Sequence, residues 1–83
     1  MSTVHITIEG YGAIQRQLPS QLVLEYSSEI LVGDVLAEIV GQYPDAQKAL
    51  DRCACAIGED IVTRQTVLKN DCTLVLLSPV AGG

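Results

Sequence analysis

Apolar and polar residues alternate cleanly from Thr3 to Glu9: Val4, Ile6 and Ile8 fall on one side, Thr3, His5, Thr7 and Glu9 on the other. A period of two marks a strand with one buried face. Gly10-Tyr11-Gly12 opens a loop and Leu18-Pro19-Ser20 closes it. Gln21 to Tyr26 then reads as a second strand, with Leu22, Leu24 and Tyr26 on one side. The short connection predicts an antiparallel hairpin. Then the period changes. Val32, Val35, Leu36, Ile39, Val40 and Tyr43 stand at i, i+3, i+4, i+7, i+8 and i+11, the stripe of an amphipathic helix. Ser28 is the expected N-cap, Glu29 and Asp34 lie near the positive end of the helix dipole, and Gly41 and Pro44 end the helix. Asp34, Glu38 and Gln42 form its solvated face.

Pro44 to Leu50 predicts a helical turn with proline at its first position. Cys53-Ala54-Cys55-Ala56-Ile57 reads as a third strand whose small residues allow close packing under the helix. Gly58-Glu59-Asp60 is a turn, and Ile61-Val62 and Val67-Leu68 are short edge pieces. Asn70-Asp71 turns into a final strand, Thr73 to Leu77, apolar on both faces, as expected of a central strand or of one presenting a face to a partner. Two strands, one long helix and further strands predict an α+β domain in two layers, the helix covering one face of a mixed sheet. No repeat or linker interrupts the chain.

Composition narrows the chemistry. The 83 residues suffice for one domain with a small core. The apolar fraction of 48% is generous; the excess is either a partner-binding patch or ordinary small-domain surface. The net charge of −5, with Arg16, Lys48, Arg52, Arg64 and Lys69 scattered, argues against nucleic acid and suits a basic partner. No apolar run is long enough for a membrane span and the start lacks the basic residues of a signal peptide, so the expected location is cytoplasmic. Cys53, Cys55 and Cys72 are then free thiols, packed as small apolar residues. With His5 they would make four nominal zinc ligands, but they lack paired short spacing, and no metal is expected. Gly10-Tyr11-Gly12 is not a dinucleotide fingerprint, because Gln15 stands where the third glycine belongs and no helix pattern follows. His5 has no serine or cysteine at a recognisable spacing, and no nucleophile, base and oxyanion donor can be assembled. The chain is not expected to be an enzyme on its own.

The remaining feature is the end of the sequence, Leu74-Val75-Leu76-Leu77-Ser78-Pro79-Val80-Ala81-Gly82-Gly83. Proline holds its own φ near −65° and biases Ser78 to an extended conformation, so residues 79–83 are expected to leave a body of residues 1–78 as a projecting tail. Small residues at a terminus are ordinarily no more than a frayed end. Read as a terminus, however, a diglycine also offers a carboxylate on a thread slim enough for a narrow channel, with no side chain obstructing its carbonyl carbon.

An aliphatic strand followed by Ser78-Pro79-Val80-Ala81-Gly82-Gly83 resembles the ending of the MoaD/ThiS-like ubiquitin-like sulfur carriers, and most nearly the small subunit of molybdopterin synthase. The resemblance extends to element order over nearly the whole chain and implies a ubiquitin-like β-grasp fold, with a mixed sheet of about four to five strands covered by one main helix. It departs from the family where the usual Pro-Pro is Ser78-Pro79, where Asp71-Cys72-Thr73 precedes the last strand, and where Gly58-Glu59 replaces a common Asn-Gly turn. The function it implies is carriage of sulfur on Gly83. An E1-like, MoeB-like enzyme would use ATP and Mg²⁺ to adenylate the carboxylate, and a persulfide donor would convert it to a thiocarboxylate. A MoaE-like large subunit would then receive the tail, with Leu77, Ser78, Pro79, Val80, Ala81 and Gly82 as the partner-binding arm. No cofactor would be held tightly by the chain itself. Related carriers serve thiamin, cysteine or siderophore-like products. A modifier forming isopeptide bonds, or a plain interaction module, would share parts of the same design.

Overall fold

The computed structural model describes residues 3–79. Strand β1 (Val4–Tyr11) pairs antiparallel with β2 (Leu22–Tyr26), with Ile6 opposite Leu24. After β2 come β3 (Ile30–Leu31), the main helix α1 (Val32–Gln42), a 3₁₀ turn (Pro44–Ala46) and a short helix α2 (Gln47–Asp51). The chain closes with β4 (Ala54–Ile57), β5 (Asp60–Val62), β6 (Val67–Leu68) and β7 (Cys72–Leu77). The main sheet has the order β2-β1-β7-β4-β5, and β3 and β6 form a separate two-stranded piece. Among the described residues only the β1–β7 pairing is parallel. The result is a mixed five-stranded sheet with one main helix, the expected β-grasp.

Alternation decides which side of the sheet the helix takes. Ile6, Ile8, Leu22, Leu24, Leu74, Leu76 and Cys55 are buried in one cluster with Val32, Val35, Leu36 and Ile39 of α1. Burying an aliphatic side chain of this size contributes about 1.5–3 kcal/mol, so the stripe on α1 fixes the helix to that face. Asp34, Glu38 and Gln42 remain exposed, with Gln42 Nε2 donating to Glu38 Oε2 at 2.9 Å. Cys53 and Cys55 are buried and Cys72 is half-buried, all as free thiols.

Two expectations about local structure are corrected. Ser28 does not cap α1: the residue before the helix is Leu31, reached through β3, and no side chain caps it. The first amides of the helix are satisfied across the fold instead, Val32 N–H donating to the Thr66 carbonyl at 2.9 Å and Gly33 N–H to the Arg64 carbonyl at 2.8 Å. Helix amides that find backbone acceptors do not need a serine. The second correction concerns the segment after Gly12, where a 3₁₀ helix, Gly12–Gln17, does form and buries Ile14 completely. One apolar anchor in six residues leaves no periodic trace in a sequence.

Candidate functional site

β7 is flanked by β1 and β4, so Ser78 and Pro79 continue from a central strand of the sheet. Six register pairs tie it to β1, from Ile6 opposite Cys72 to Tyr11 opposite Leu77, and three tie it to β4. The grip continues one residue further. Ser78 N–H donates to the Tyr11 carbonyl at 3.0 Å. The Ser78 hydroxyl donates to the same carbonyl at 3.0 Å and accepts from Ile14 N–H at 2.7 Å. A hydroxyl is one donor and two acceptor sites, and this one is used in both senses. It thereby links the end of β1 to the 3₁₀ turn.

Gly12 makes the approach possible. Its φ is +82°, the left-handed region that suits glycine, and a Cβ built there would lie 1.9 Å from the Ser78 carbonyl oxygen. A side chain and the departing chain cannot both occupy that space.

The sheet face turned away from α1 carries a second feature around the exit. Tyr11, Leu77 and Ala54 are register partners in one row, and Val75, Ala56 and Ile61 in the next. Tyr11 is 49% exposed, Leu77 40% and Ile61 69%. On this face Ile61 of the edge strand β5 and the pair Tyr11 and Leu77 are the exposed apolar residues, with Ala56 buried and Val75 half-buried between them and Glu9 completing the row of Val75. Tyr11 Oη donates to Glu9 Oε2 at 3.3 Å, which gives these apolar residues a polar margin.

Of the site residues expected from sequence, Leu77 and Pro79 are exposed and Ser78 is half-buried at this exit. Val80, Ala81, Gly82 and Gly83 lie outside the described residues. Ser78 is thus tied to the end of β1 and to the 3₁₀ turn, the last residue of the body that the sequence delimits at position 78. Tyr11, Gly12 and Ile14 were missed as parts of the site. Their signal in the sequence is Gly10-Tyr11-Gly12, which reads as a loop and not as a dinucleotide fingerprint, while the contact that explains Gly12 is made across 66 positions of the chain.

The other reactive side chains face elsewhere. His5 Nε2 is 3.1 Å from Glu25 Oε2 and Nδ1 is 3.5 Å from Asp71 Oδ1. His5 N–H donates to Asp71 Oδ1 at 2.8 Å, and that amide holds the Asp71 carboxylate below the usual aspartate range. Cys53 Sγ donates to the Leu50 carbonyl at 3.2 Å, and Arg64 Nη2 donates to the same oxygen at 2.7 Å. Its interaction with the Cys55 sulfur, together with burial, pushes the Cys53 thiol up and keeps it protonated. Among the described residues no histidine, cysteine, aspartate and glutamate set is grouped for a metal ion. Nor is any described helix long and apolar enough to cross a membrane.

Comparison with known proteins accords with this geometry. The fold is similar to the crystal structure of SAMP1 from Haloferax volcanii, with a TM-score of 0.80 at 16% identity, covering 95% of this chain and 99% of that one. It is similar to the solution structure of small archaeal modifier protein 1 from Methanosarcina acetivorans, with a TM-score of 0.75 at 17% identity and full coverage of both chains. It is also similar to a chain in the complex of subunits 1 and 2 of molybdopterin-converting factor from Helicobacter pylori 26695, with a TM-score of 0.66 at 21% identity, covering 96% and 100%. No curated protein matches by sequence. The ThiS family model matches residues 11–83, from the corner that grips Ser78 to the diglycine, and the chain belongs to the ThiS family of ubiquitin-like β-grasp domains.

Proposed function

We propose that this protein is a sulfur carrier whose Gly83 carboxylate is activated by a partner enzyme, charged as a thiocarboxylate and discharged in molybdopterin synthesis. The observation that carries the proposal is the anchored serine: a central strand is followed by a fixed Ser78 beside the exposed Tyr11 and Leu77, and the diglycine begins four residues later. Membership of the ThiS family and the similarity to a molybdopterin-converting factor chain support it.

A carboxylate is a poor electrophile, so the first step is attack of a Gly83 oxygen on the α-phosphorus of ATP, expelling pyrophosphate and leaving an acyl adenylate. Mg²⁺ on the partner would neutralise the phosphates. The terminal sulfur of a persulfide then attacks the acyl carbon and AMP departs. A thiol of the partner enzyme cleaves the resulting S–S bond, leaving the thiocarboxylate on Gly83 and a disulfide on the partner. Glycine at positions 82 and 83 presents no Cβ to the enzyme at any of these steps. In this scheme the E1-like, MoeB-like enzyme docks the body and handles ATP, and a MoaE-like large subunit receives the charged tail. The carrier supplies position and the acyl group, and the catalytic residues belong to its partners.

Incubation with ATP, Mg²⁺, an E1-like adenylating enzyme and a persulfide donor should raise the intact mass by the difference between sulfur and oxygen, with the change confined to Gly83. A chain lacking Gly82 and Gly83 should stay unchanged. An unaltered mass for the full chain would rule the proposal out.

The likeness to two small archaeal modifier structures favours a second reading, in which Gly83 forms isopeptide bonds with lysines of other proteins. It predicts Gly-Gly remnants on lysines after proteolysis, which a carrier confined to sulfur transfer would not produce.

A further inference from the structure

We infer that the corner formed by Tyr11, Gly12 and Ile14 is a positioning device for the tail, with Ser78 as its latch. The inference rests on the reading of Gly83 as the group that is charged. β7 is already held by six register pairs to β1 and three to β4, so the bonds beyond Leu77 are not what sets its register. They fix instead the last residue before Pro79. The Ser78 hydroxyl satisfies the Ile14 amide at 2.7 Å, its backbone amide satisfies the Tyr11 carbonyl at 3.0 Å, and Gly12 leaves room for its carbonyl.

Why the latch lies here follows from reach. Five residues span at most about 18 Å when fully extended, so any wandering of their starting point subtracts directly from where Gly83 can arrive. A fixed start also means that less conformational freedom is lost when a partner takes up the tail. The groups involved are neutral, so the latch is insensitive to pH and salt. A proline at position 78 would supply neither the N–H nor the hydroxyl, so the anchor depends on the serine that this chain has there. Ser78 and Gly12 act through the tail and touch no reacting atom.

The test uses the full chain and the variants Ser78→Ala, Ser78→Thr and Gly12→Ala. Two quantities are read: hydrogen exchange at the Ile14 amide, and KM and kcat for the carrier in ATP–pyrophosphate exchange catalysed by a MoeB-type adenylating enzyme. Ser78→Ala should speed Ile14 exchange about tenfold, as expected for the loss of one hydrogen bond. It should raise KM about 3- to 10-fold, the cost of ordering one more residue on binding, with kcat within about twofold. Ser78→Thr keeps the hydroxyl and should restore both. Gly12→Ala should match or exceed Ser78→Ala; if it does not fold, the serine pair decides alone. Leu36→Ala, destabilised in the core, should keep the wild-type KM. Unchanged Ile14 exchange in Ser78→Ala would overturn the latch, and changed exchange with an unchanged KM would overturn its positioning role. If the unaltered chain supports no pyrophosphate exchange, the carrier reading falls, and this inference with it; if it does and Ser78→Ala equals it, only the inference falls.

Discussion

The two ends of the parallel β1–β7 pair are closed in opposite ways. At the entrance to β7, Asp71 accepts from the His5 amide, and the His5 ring lies between Asp71 and Glu25. These are two carboxylates and an imidazole in water, with the His5 side chain 45% and the Glu25 side chain 65% exposed. At the exit, Ser78 links Tyr11 and Ile14 through neutral groups that are half withdrawn from solvent. Exposed ion pairs contribute little and are screened by salt, whereas leaving a part-buried amide without its acceptor carries a definite penalty. On the proposed reading the entrance needs only to be closed, while the Ser78 end has to be closed in one geometry, because the group to be charged is reached from there.

This contrast orders the expected effects of mutation. The largest should come from Gly12→Ala, which combines a positive φ with a collision against the Ser78 carbonyl. A loss of about 2–5 kcal/mol is expected, read as a fall in the denaturant midpoint. Next is Ser78→Pro, which removes both the N–H and the hydroxyl, at about 2–4 kcal/mol. Ser78→Ala should cost about 1–2 kcal/mol, and the loss should be the same at low and high salt. A strong salt dependence in Ser78→Ala would erase the distinction between the two ends.

Asp71→Asn should have the smallest effect and a pH signature of its own. The carboxylate of Asp71 is held below its ordinary value in the folded state, chiefly by the His5 amide. Its contribution is in place above the unfolded value of about 3.9 and is lost as the pH falls through the lower folded value. Thermal melts of the unaltered chain and of Asp71→Asn should thus differ slightly at neutral pH, and converge in acid as the Asp71 carboxylate protonates. A difference that grew as the pH fell would mean that the entrance is held by something other than this carboxylate.

The same contrast explains what the sequence made legible. Period two in β1, the stripe of α1 and the aliphatic run of β7 are burial patterns, and each was readable because one face of each element meets the core. The two apolar faces of β7 fit either a central strand or one facing a partner, and the pairing with β1 and β4 puts it at the centre. Ser28 misled because a serine before a helix is a good cap in general, whereas here the carbonyls of Arg64 and Thr66 arrive from 31 and 34 residues away and do the same work. Gly12 and Ser78 were each visible, one as a loop glycine and the other as a departure from Pro-Pro. Only the fold brings them to one point. The His5–Asp71 contact likewise joins residues 66 apart and has no local pattern.

The open face of the sheet differs from the covered one in the same instructive way. Leu74 and Leu76 face the core and are fully buried, while the alternate residues Val75 and Leu77 face outward toward the Tyr11 and Ile61 rows. Replacing Leu77 by aspartate should leave the fold intact and weaken docking of the adenylating enzyme about tenfold or more, by placing a charge among the exposed apolar residues. Isothermal titration of that enzyme with the variant checks this. The two sides of one strand would thus serve stability and recognition separately.

The most direct test of the account concerns Gly83 itself. A chain carrying one extra tryptophan after Gly83, supplied to the adenylating enzyme and persulfide donor in a protease-free mixture, should fold as before and acquire no sulfur, while the unextended chain is charged. Equal charging of both would mean that the terminal acyl group of Gly83 is not what this fold presents.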